Sequence, residues 1–158
     1  MTKYVICPDV AFRLAHDEAV IREDHQLLAP ALLRSQLLAL LYQAVRRGEM
    51  TRKDARLRLD YVRGLRIRLL GDRVLQNVAW QVADQLGWPD TLDAEYVALA
   101  KLHADALVTL DPRLADAVQD LVTVAPIEAL SLPGSDVGDN DPGQAQVAPR
   151  GDGRGMEA

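Results

Sequence analysis

Apolar positions along the chain fall into two spacings, and each spacing predicts a different kind of element. The nearly continuous apolar runs at residues 3–7 and 106–110 predict strands inside a sheet, because a half-exposed strand would alternate apolar and polar side chains. Residues 65–70 do alternate and predict an edge strand, while residues 121–124 predict a last strand.

Apolar side chains three and four residues apart predict the helices. Leu33, Leu37 and Leu41 recur at this spacing within residues 31–47, and Pro30 is suited to the first turn of that helix. Thr51 is suited to cap another helix. Further helices are predicted at residues 10–15, 73–86, 94–102 and 112–118. Helices that alternate with short interior strands indicate an α/β sandwich around a parallel sheet.

Composition changes sharply near residue 130. Residues 131–158, the C-terminal tail, contain six Gly and three Pro in 28 positions and almost no apolar side chains. Such a segment buries too little surface to offset the entropy lost on ordering, so the tail is predicted to be disordered. The sequence therefore predicts one folded domain over residues 1–130.

Charge and cysteine usage narrow the setting. The net charge of −5 argues against a general DNA-coating protein, yet residues 46–73, the basic stripe, hold ten Lys and Arg against four acids. The stripe is either a path for RNA or a solvated face with ion pairs. One cysteine, no signal-peptide pattern and apolar runs far below the ~20 residues of a bilayer span predict a cytoplasmic protein outside the membrane.

Carboxylates stand where two predicted elements begin or end. Asp93, with Asp90 shortly before it, opens the helix of residues 94–102, and Asp111 directly follows the strand of residues 106–110. Open α/β sheets bind ligands beyond the carboxyl ends of their strands. Asp93 and Asp111 are therefore the first candidates for a functional site.

The same stretch, TLDAEYVALA followed by LVTLD, resembles the C-terminal signature of PIN domains, especially those of VapC-type ribonuclease toxins. In that family a T-x-D-A-x-Y-x-A-L-A helix supplies one acidic ligand and a T-x-D strand end supplies another. The matching positions here are Thr91, Asp93, Ala94, Tyr96, Ala98, Leu99, Ala100, Thr109 and Asp111. The resemblance implies a PIN-like α/β/α sandwich with a short central parallel sheet, a site for Mg²⁺ or Mn²⁺ that includes Asp93 and Asp111, and a catalytic role for Thr109.

Two acids that the resemblance implies are absent. Gln36, in the segment APALLRSQ, stands where the family has a glutamate, and Cys7 stands at the acidic position of the first strand. A glutamine oxygen can bind a metal or orient a water but carries no charge, and a thiol suits a hard cation poorly. If the backbone stays extended through Pro8, residues 7 and 9 face the same side. We therefore expect Asp9, Asp93 and Asp111 to bind the metal, with Gln36 beside them.

Every candidate also has a purely structural interpretation. The negative charge of Asp93 can interact favourably with the dipole of its helix, and Asp90 can be an ordinary helix cap. Asp111 before a proline is a common helix start, and Asp9 after a proline can cap as well. Gln36 can be a solvated helix residue. The functional interpretation gains weight because these side chains are all expected at one edge of the same sheet.

Resemblance and positions together predict a metal-dependent endoribonuclease of PIN type, with the toxin half of a toxin–antitoxin pair as its suggested setting. An RNA substrate, an antitoxin protein and a homodimer are the partners implied. The alternative is a catalytically impaired PIN module that serves in RNA binding or protein interaction, since Cys7 and Gln36 supply no carboxylate.

Overall fold

Five parallel strands form the centre of the fold in this computed structural model, which describes residues 1–132. The strands lie in the order β3-β2-β1-β4-β5, so the first strand is the central one. They are β1 (Thr2–Ile6), β2 (His25–Pro30), β3 (Arg68–Leu70), β4 (Ala106–Val108) and β5 (Val124–Ala125). The predicted fold class, an α/β sandwich with a short parallel sheet, is confirmed.

Six helices connect and cover the strands of this part of the chain. They are α1 (Pro8–Asp17), α2 (Leu33–Arg46), α3 (Arg52–Gly64), α4 (Arg73–Leu86), α5 (Leu92–His103) and α6 (Pro112–Val118), with a short 3-10 turn at Ile127–Ala129. Parallel neighbours require such crossovers, because a tight turn can only join antiparallel strands. The helices predicted at residues 73–86 and 112–118 have those bounds in the structure.

Local signals set the helix ends. Thr51 and Asp54 form a reciprocal capping box at the start of α3, in which each side chain accepts from the other residue's backbone N–H. The Asp72 side chain caps α4 by accepting from the N–H of Leu75 at 2.8 Å. Gly87 ends α4 with φ of 66°, a left-handed conformation that glycine adopts without steric cost.

The core lies where β1, β4 and α5 meet. Val5, Ile6, Leu107 and Val108 are completely buried, as expected for central strands covered on both faces. Helix α5 is buried along Tyr96 to Ala100, so it lacks the single apolar face of a surface helix. The predicted buried helix and interior strand are confirmed.

Three sequence predictions were wrong in detail. Residues 25–30 form β2, which the apolar pattern did not predict. Pro30 ends this strand instead of standing in the first turn of a helix, and α2 begins only at Leu33. Pairing with β1 on one side and β3 on the other decides this segment, which no short-range pattern reveals. The last strand is Val124–Ala125, because the N–H groups of Leu121 and Val122 close a turn onto the carbonyl of Val118.

The predicted domain boundary lies close to the end of the described residues. Leu130 is completely buried and Ser131 forms a bridge with Ile21. The prediction of disorder for the C-terminal tail falls, apart from Ser131 and Leu132, outside the residues that the structure describes. Among the described helices, none combines the length and the apolar character needed to cross a membrane.

Candidate active site

The carboxyl ends of β1 and β4 meet, and the candidate site lies just beyond them. Ile6 pairs with Val108 in the sheet, and the N–H of Cys7 donates to the carbonyl of Val108 at 3.1 Å. Cys7 and Thr109 are thus the first residues past two adjacent central strands. This is the edge at which open α/β sheets bind their ligands.

Asp9 reaches this edge from a helix. The expectation that the backbone stays extended through Pro8 was wrong, because α1 begins at Pro8, where a proline needs no N–H partner. The Asp9 carboxylate nevertheless turns towards β4: its Oδ2 accepts from the N–H of Leu110 at 3.0 Å and from the Thr109 hydroxyl at 3.4 Å. Its other oxygen accepts from the N–H of Val10 at 2.8 Å.

Thr109 links Asp9 to the segment that carries Asp111. Its hydroxyl donates to Asp9 and at the same time accepts from the backbone N–H of Asp111 at 3.1 Å. The Asp111 side chain accepts from the N–H of Arg113 at 2.9 Å and so caps α6. The structural interpretation of Asp111 as a helix cap is therefore correct, and one of its oxygens remains available.

Asp93 differs from Asp9 and Asp111 in its surroundings. It lies in the first turn of α5, and no hydrogen bond or cation engages its carboxylate within residues 1–132. Loss of hydration beside the protein raises the pKa of Asp93, although the side chain is exposed, and the charges of Asp90, Asp111 and Asp9 raise it further. Asp90 itself accepts from the N–H of Leu92 at 3.0 Å.

The electrostatics of Cys7 show that it lies among the same carboxylates. Burial is the main reason that the pKa of the Cys7 thiol is raised far above its usual range, and the neighbouring Thr109 hydroxyl lowers it only in part. The charges of Asp9, Asp93 and Asp111 all add to the increase. Cys7 is 3% exposed and therefore stays a neutral thiol at the position where the family resemblance implies an acid.

Gln36 reaches the same region from the first turn of α2 and is fixed by Tyr96. The Tyr96 hydroxyl donates to Oε1 of Gln36 at 2.6 Å. Burial is the main cause that raises the pKa of Tyr96, and the nearby carboxylates of Glu95, Asp93 and Asp9 add to it, so this hydroxyl remains a neutral donor. The bond engages the amide oxygen and leaves the amide nitrogen free for a ligand.

Tyr96 was not among the predicted site residues, although the sequence contains a signal for it. A tyrosine in the middle of a helix that is buried on most sides must find a partner for its hydroxyl. A polar side chain that faces this hydroxyl is therefore its expected hydrogen-bond partner. Gln36 is that partner, which connects the helix after β2 with the helix before β4.

The oxygen atoms at this site are suitable ligands for a hard cation, but they do not form a closed set of ligands around one point. Carboxylate oxygens of Asp9, Asp93 and Asp111 are the ligands that Mg²⁺ and Mn²⁺ prefer. In the part of the chain that the structure describes, no three His, Cys, Asp and Glu side chains form a group that could hold a metal ion by themselves. Mg²⁺ is commonly bound by one or two carboxylates plus water and substrate phosphate, so the residues present fit that mode.

Comparison with known proteins identifies the fold and nothing further. No family model matches the chain, and no curated protein matches it. Among solved structures, the chain is similar to the crystal structure of PAE2754 from Pyrobaculum aerophilum, with 22% sequence identity and a TM-score of 0.64 over 80% of this chain and 92% of the other. At this level of identity the similarity shows a shared fold alone.

Proposed function

We propose that this chain is a metal-dependent endoribonuclease of PIN type that uses Mg²⁺ or Mn²⁺. The observation that carries the proposal is the gathering of carboxylates from three separate segments, Asp9, Asp93 and Asp111, beyond the carboxyl ends of β1 and β4. Loss of hydration is the main cause that raises the pKa of Asp93, and the nearby charges of Asp90, Asp111 and Asp9 raise it further. None of the ion pairs within residues 1–132 involves these carboxylates. Like charges that gather without a counter-charge are costly, and a bound cation removes that cost.

Each residue has a defined task in this proposal. Asp9, Asp93 and Asp111 would hold the cation, one or two of them directly and the others through bound water, and the ion would polarise the phosphodiester and lower the pKa of a water. Thr109 holds the Asp9 carboxylate in place and fixes the backbone that carries Asp111. The free amide nitrogen of Gln36 donates to a phosphate oxygen, in an orientation that the Tyr96 hydroxyl enforces.

The direct test is RNA cleavage by Asp111→Asn. We expect cleavage with Mn²⁺ to fall at least about a hundredfold, because a catalytic metal supplies several kcal/mol and each ~1.4 kcal/mol is tenfold in rate. The fold should persist, since asparagine caps a helix as well as aspartate does. Asp24→Asn, the same change at the opposite edge of the sheet, is the matched control and should cut RNA at the wild-type rate. Equal rates for both variants would refute the proposal.

The partners implied by this function have their own support. An RNA substrate suits the local excess of basic side chains in residues 46–73. A protein partner, an antitoxin in a toxin–antitoxin pair or a second copy in a homodimer, suits the apolar groove between α2 and α3, where Leu38 and Tyr42 are 56% and 65% exposed. A single cysteine, which is free and buried, suits the cytoplasm.

A second candidate function is a catalytically impaired module of the same fold that binds RNA or a protein. Gln36 and the neutral thiol of Cys7 favour it, because both supply no charge where a four-carboxylate site would have one. The double substitution Cys7→Asp with Gln36→Glu separates the two candidates. A gain in cleavage of tenfold or more, about 1.4 kcal/mol, supports the impaired module. Unchanged cleavage supports a native site that works with Asp9, provided that a melting curve shows an intact fold.

A further inference from the structure

A groove begins at Asp9 and leads away from the acidic site. It lies between α1 and the connection from α2 to α3, and its volume is about 480 Å³. Its lining changes from the site residues Asp9 and Leu110 to a more basic part with Phe12, Arg13, His16 and Arg58. The groove therefore joins the proposed metal site to positively charged side chains.

The residues on the α1 side follow one face of the helix. Phe12, Arg13 and His16 are three, four and seven residues after Asp9, which is the spacing of side chains that share a helix face. At 1.5 Å per residue, His16 lies about 10 Å further along the helix axis than Asp9. A ligand that extends along this face from the acids consequently meets the basic part next.

Arg58 is unlike the rest of the basic stripe. It is half-buried, whereas the nine other Lys and Arg side chains of residues 46–73 are exposed. Its guanidinium lies 5.7 Å from the centre of the Phe12 ring, and Nη2 donates to Nδ1 of His16 at 3.0 Å. Both contacts reach across from α3 to α1, so the guanidinium is held in one place.

Arg58 is also the cation of this groove that no carboxylate of the described chain neutralises. Arg13 pairs with Asp17 at 3.4 Å, and Glu49, the acid at the far side of the groove, pairs with Arg47 at 2.8 Å. Arg58 has the Phe12 ring and the His16 imidazole as its partners. An arginine that is fixed without a counter-ion keeps its remaining N–H donors and its charge for a ligand, and a preorganised donor loses little entropy on binding.

We propose that Arg58, held by Phe12 and His16, binds the phosphodiester that flanks the scissile one in single-stranded RNA. The proposal rests on the proposed nuclease function, since it places the scissile phosphate at Asp9, Asp93 and Asp111. The guanidinium fork matches two phosphate oxygens, which a lysine ammonium does not. Phe12 supports the guanidinium, so the subsite recognises the backbone of the RNA and no particular base.

The test separates RNA binding from cleavage. Full-length protein with Asp111→Asn, which prevents cleavage in the proposed mechanism, is titrated into a labelled single-stranded RNA without metal, and fluorescence anisotropy is measured over a range of salt concentrations. Arg58→Gln should weaken binding about tenfold and reduce the salt slope by about 0.7, the value for one phosphate contact on a single strand. Lys53→Gln is the matched control, because it removes one charge from the same helix about 140° away from Arg58.

A second variant tests the geometry of the guanidinium. Arg58→Lys keeps the charge and loses the fork, so the salt slope should stay at the wild-type value while affinity falls by a few-fold. A melting curve for each variant shows that the fold is retained; if Arg58→Gln unfolds, Arg58→Lys still decides. Equal affinities of the Arg58→Lys protein and its parent, or equal affinities of Arg58→Gln and Lys53→Gln, would overturn the subsite.

These outcomes are distinct from those for the nuclease. If Arg58 variants bind RNA as tightly as their parent while the wild-type protein cuts it, the subsite is wrong and the nuclease stands. If Arg58 substitutions weaken RNA binding but the wild-type protein does not cut RNA, the phosphate contact stands and the nuclease proposal is wrong. A chain that binds no single-stranded RNA at low salt overturns the subsite directly.

Discussion

Two aspartates at opposite edges of the sheet show how differently the same side chain is treated. Asp24 immediately precedes β2, at the end of the sheet where the parallel strands begin, here called the amino edge. A hydrogen bond from Arg22, at 3.1 Å, is the main cause that lowers the pKa of Asp24. Asp93 lies in the first turn of α5, at the end of the sheet where the strands finish, here called the carboxyl edge. Loss of hydration and three further aspartates raise the pKa of Asp93. One carboxylate has a cation beside it, and the other has only like charges.

The contrast extends to the two edges as a whole. At the amino edge the Asp105 carboxylate accepts from the N–H of Lys3 at 2.8 Å, and the Nε2 atom of His25 lies 3.0 Å from the carbonyl of Ala129. These contacts tie chain segments together. At the carboxyl edge Asp9 and Asp111 each accept hydrogen bonds, but negative charge accumulates. The contacts at the first edge stabilise the fold, whereas in the proposed function an external cation would offset the negative charge at the second.

The largest effect that sharpens this comparison is on metal binding. Calorimetric titration with Mn²⁺ should show binding to the wild-type protein and an affinity at least about a hundredfold lower for Asp93→Asn with Asp111→Asn. Two charged oxygen ligands are then replaced by neutral amides, and every ~1.4 kcal/mol lost is tenfold in affinity.

The matched control makes the same double change at the amino edge, Asp24→Asn with Asp105→Asn. It should bind Mn²⁺ as the wild-type protein does, because Asp24 and Asp105 precede β2 and β4 and so lie at the opposite end of the strands from the proposed metal site. If both double variants lose binding equally, the two edges do not differ in the proposed way. If the wild-type protein binds no Mn²⁺ at millimolar concentration without RNA, the impaired module becomes the better interpretation.

Much of the fold could be predicted because its signals are local. Asp72 before an apolar helix pattern and Gly87 after it define α4, and the Thr51–Asp54 capping box defines the start of α3. The strand β2 could not be predicted in the same way. Its residues pair with β1 and β3. Pro30 is accommodated because it lies beyond Leu28, the last residue of β2 that pairs with β1, so its missing N–H leaves no ladder bond unmade on that side.

The candidate site was predictable in composition and less so in geometry. Asp93 and Asp111 were found because acids at a helix start and past a strand end stand out against an apolar background. Asp9 was found for a wrong reason: it approaches β4 from the first turn of α1, since the helix begins directly at Pro8. The bond from Tyr96 to Gln36 joins residues 60 positions apart, a distance that only the folded chain removes.

The smallest effect is on the stability of the metal-free protein. It tests whether each of the two carboxylates raises or lowers the free energy of unfolding. A carboxyl group with a raised pKa binds more protons in the folded state than in the unfolded state, so the free energy of unfolding decreases as pH rises through the range between the two pKa values. Asp93→Asn removes this cost and should raise the melting temperature of the metal-free protein near pH 7.5. Asp93 is exposed, so the gain is below about 1 kcal/mol, or about 1–3 °C for a chain of this size.

Asp24→Asn should act in the opposite direction in the same measurement. A lowered pKa contributes stability above the unfolded value, which is lost as pH falls through the folded value. The difference for Asp93→Asn should disappear near pH 2, where this carboxyl group, whose pKa is raised, is protonated in both states. The difference for Asp24→Asn should shrink as pH falls through its lowered pKa. Mn²⁺ should then reverse the order of wild type and Asp93→Asn at pH 7.5, because ligand binding to the folded state stabilises only the protein that retains its site. An Asp93→Asn protein that melts below the wild type without metal would mean that the repulsion at the carboxyl edge is not the source of its affinity for a cation.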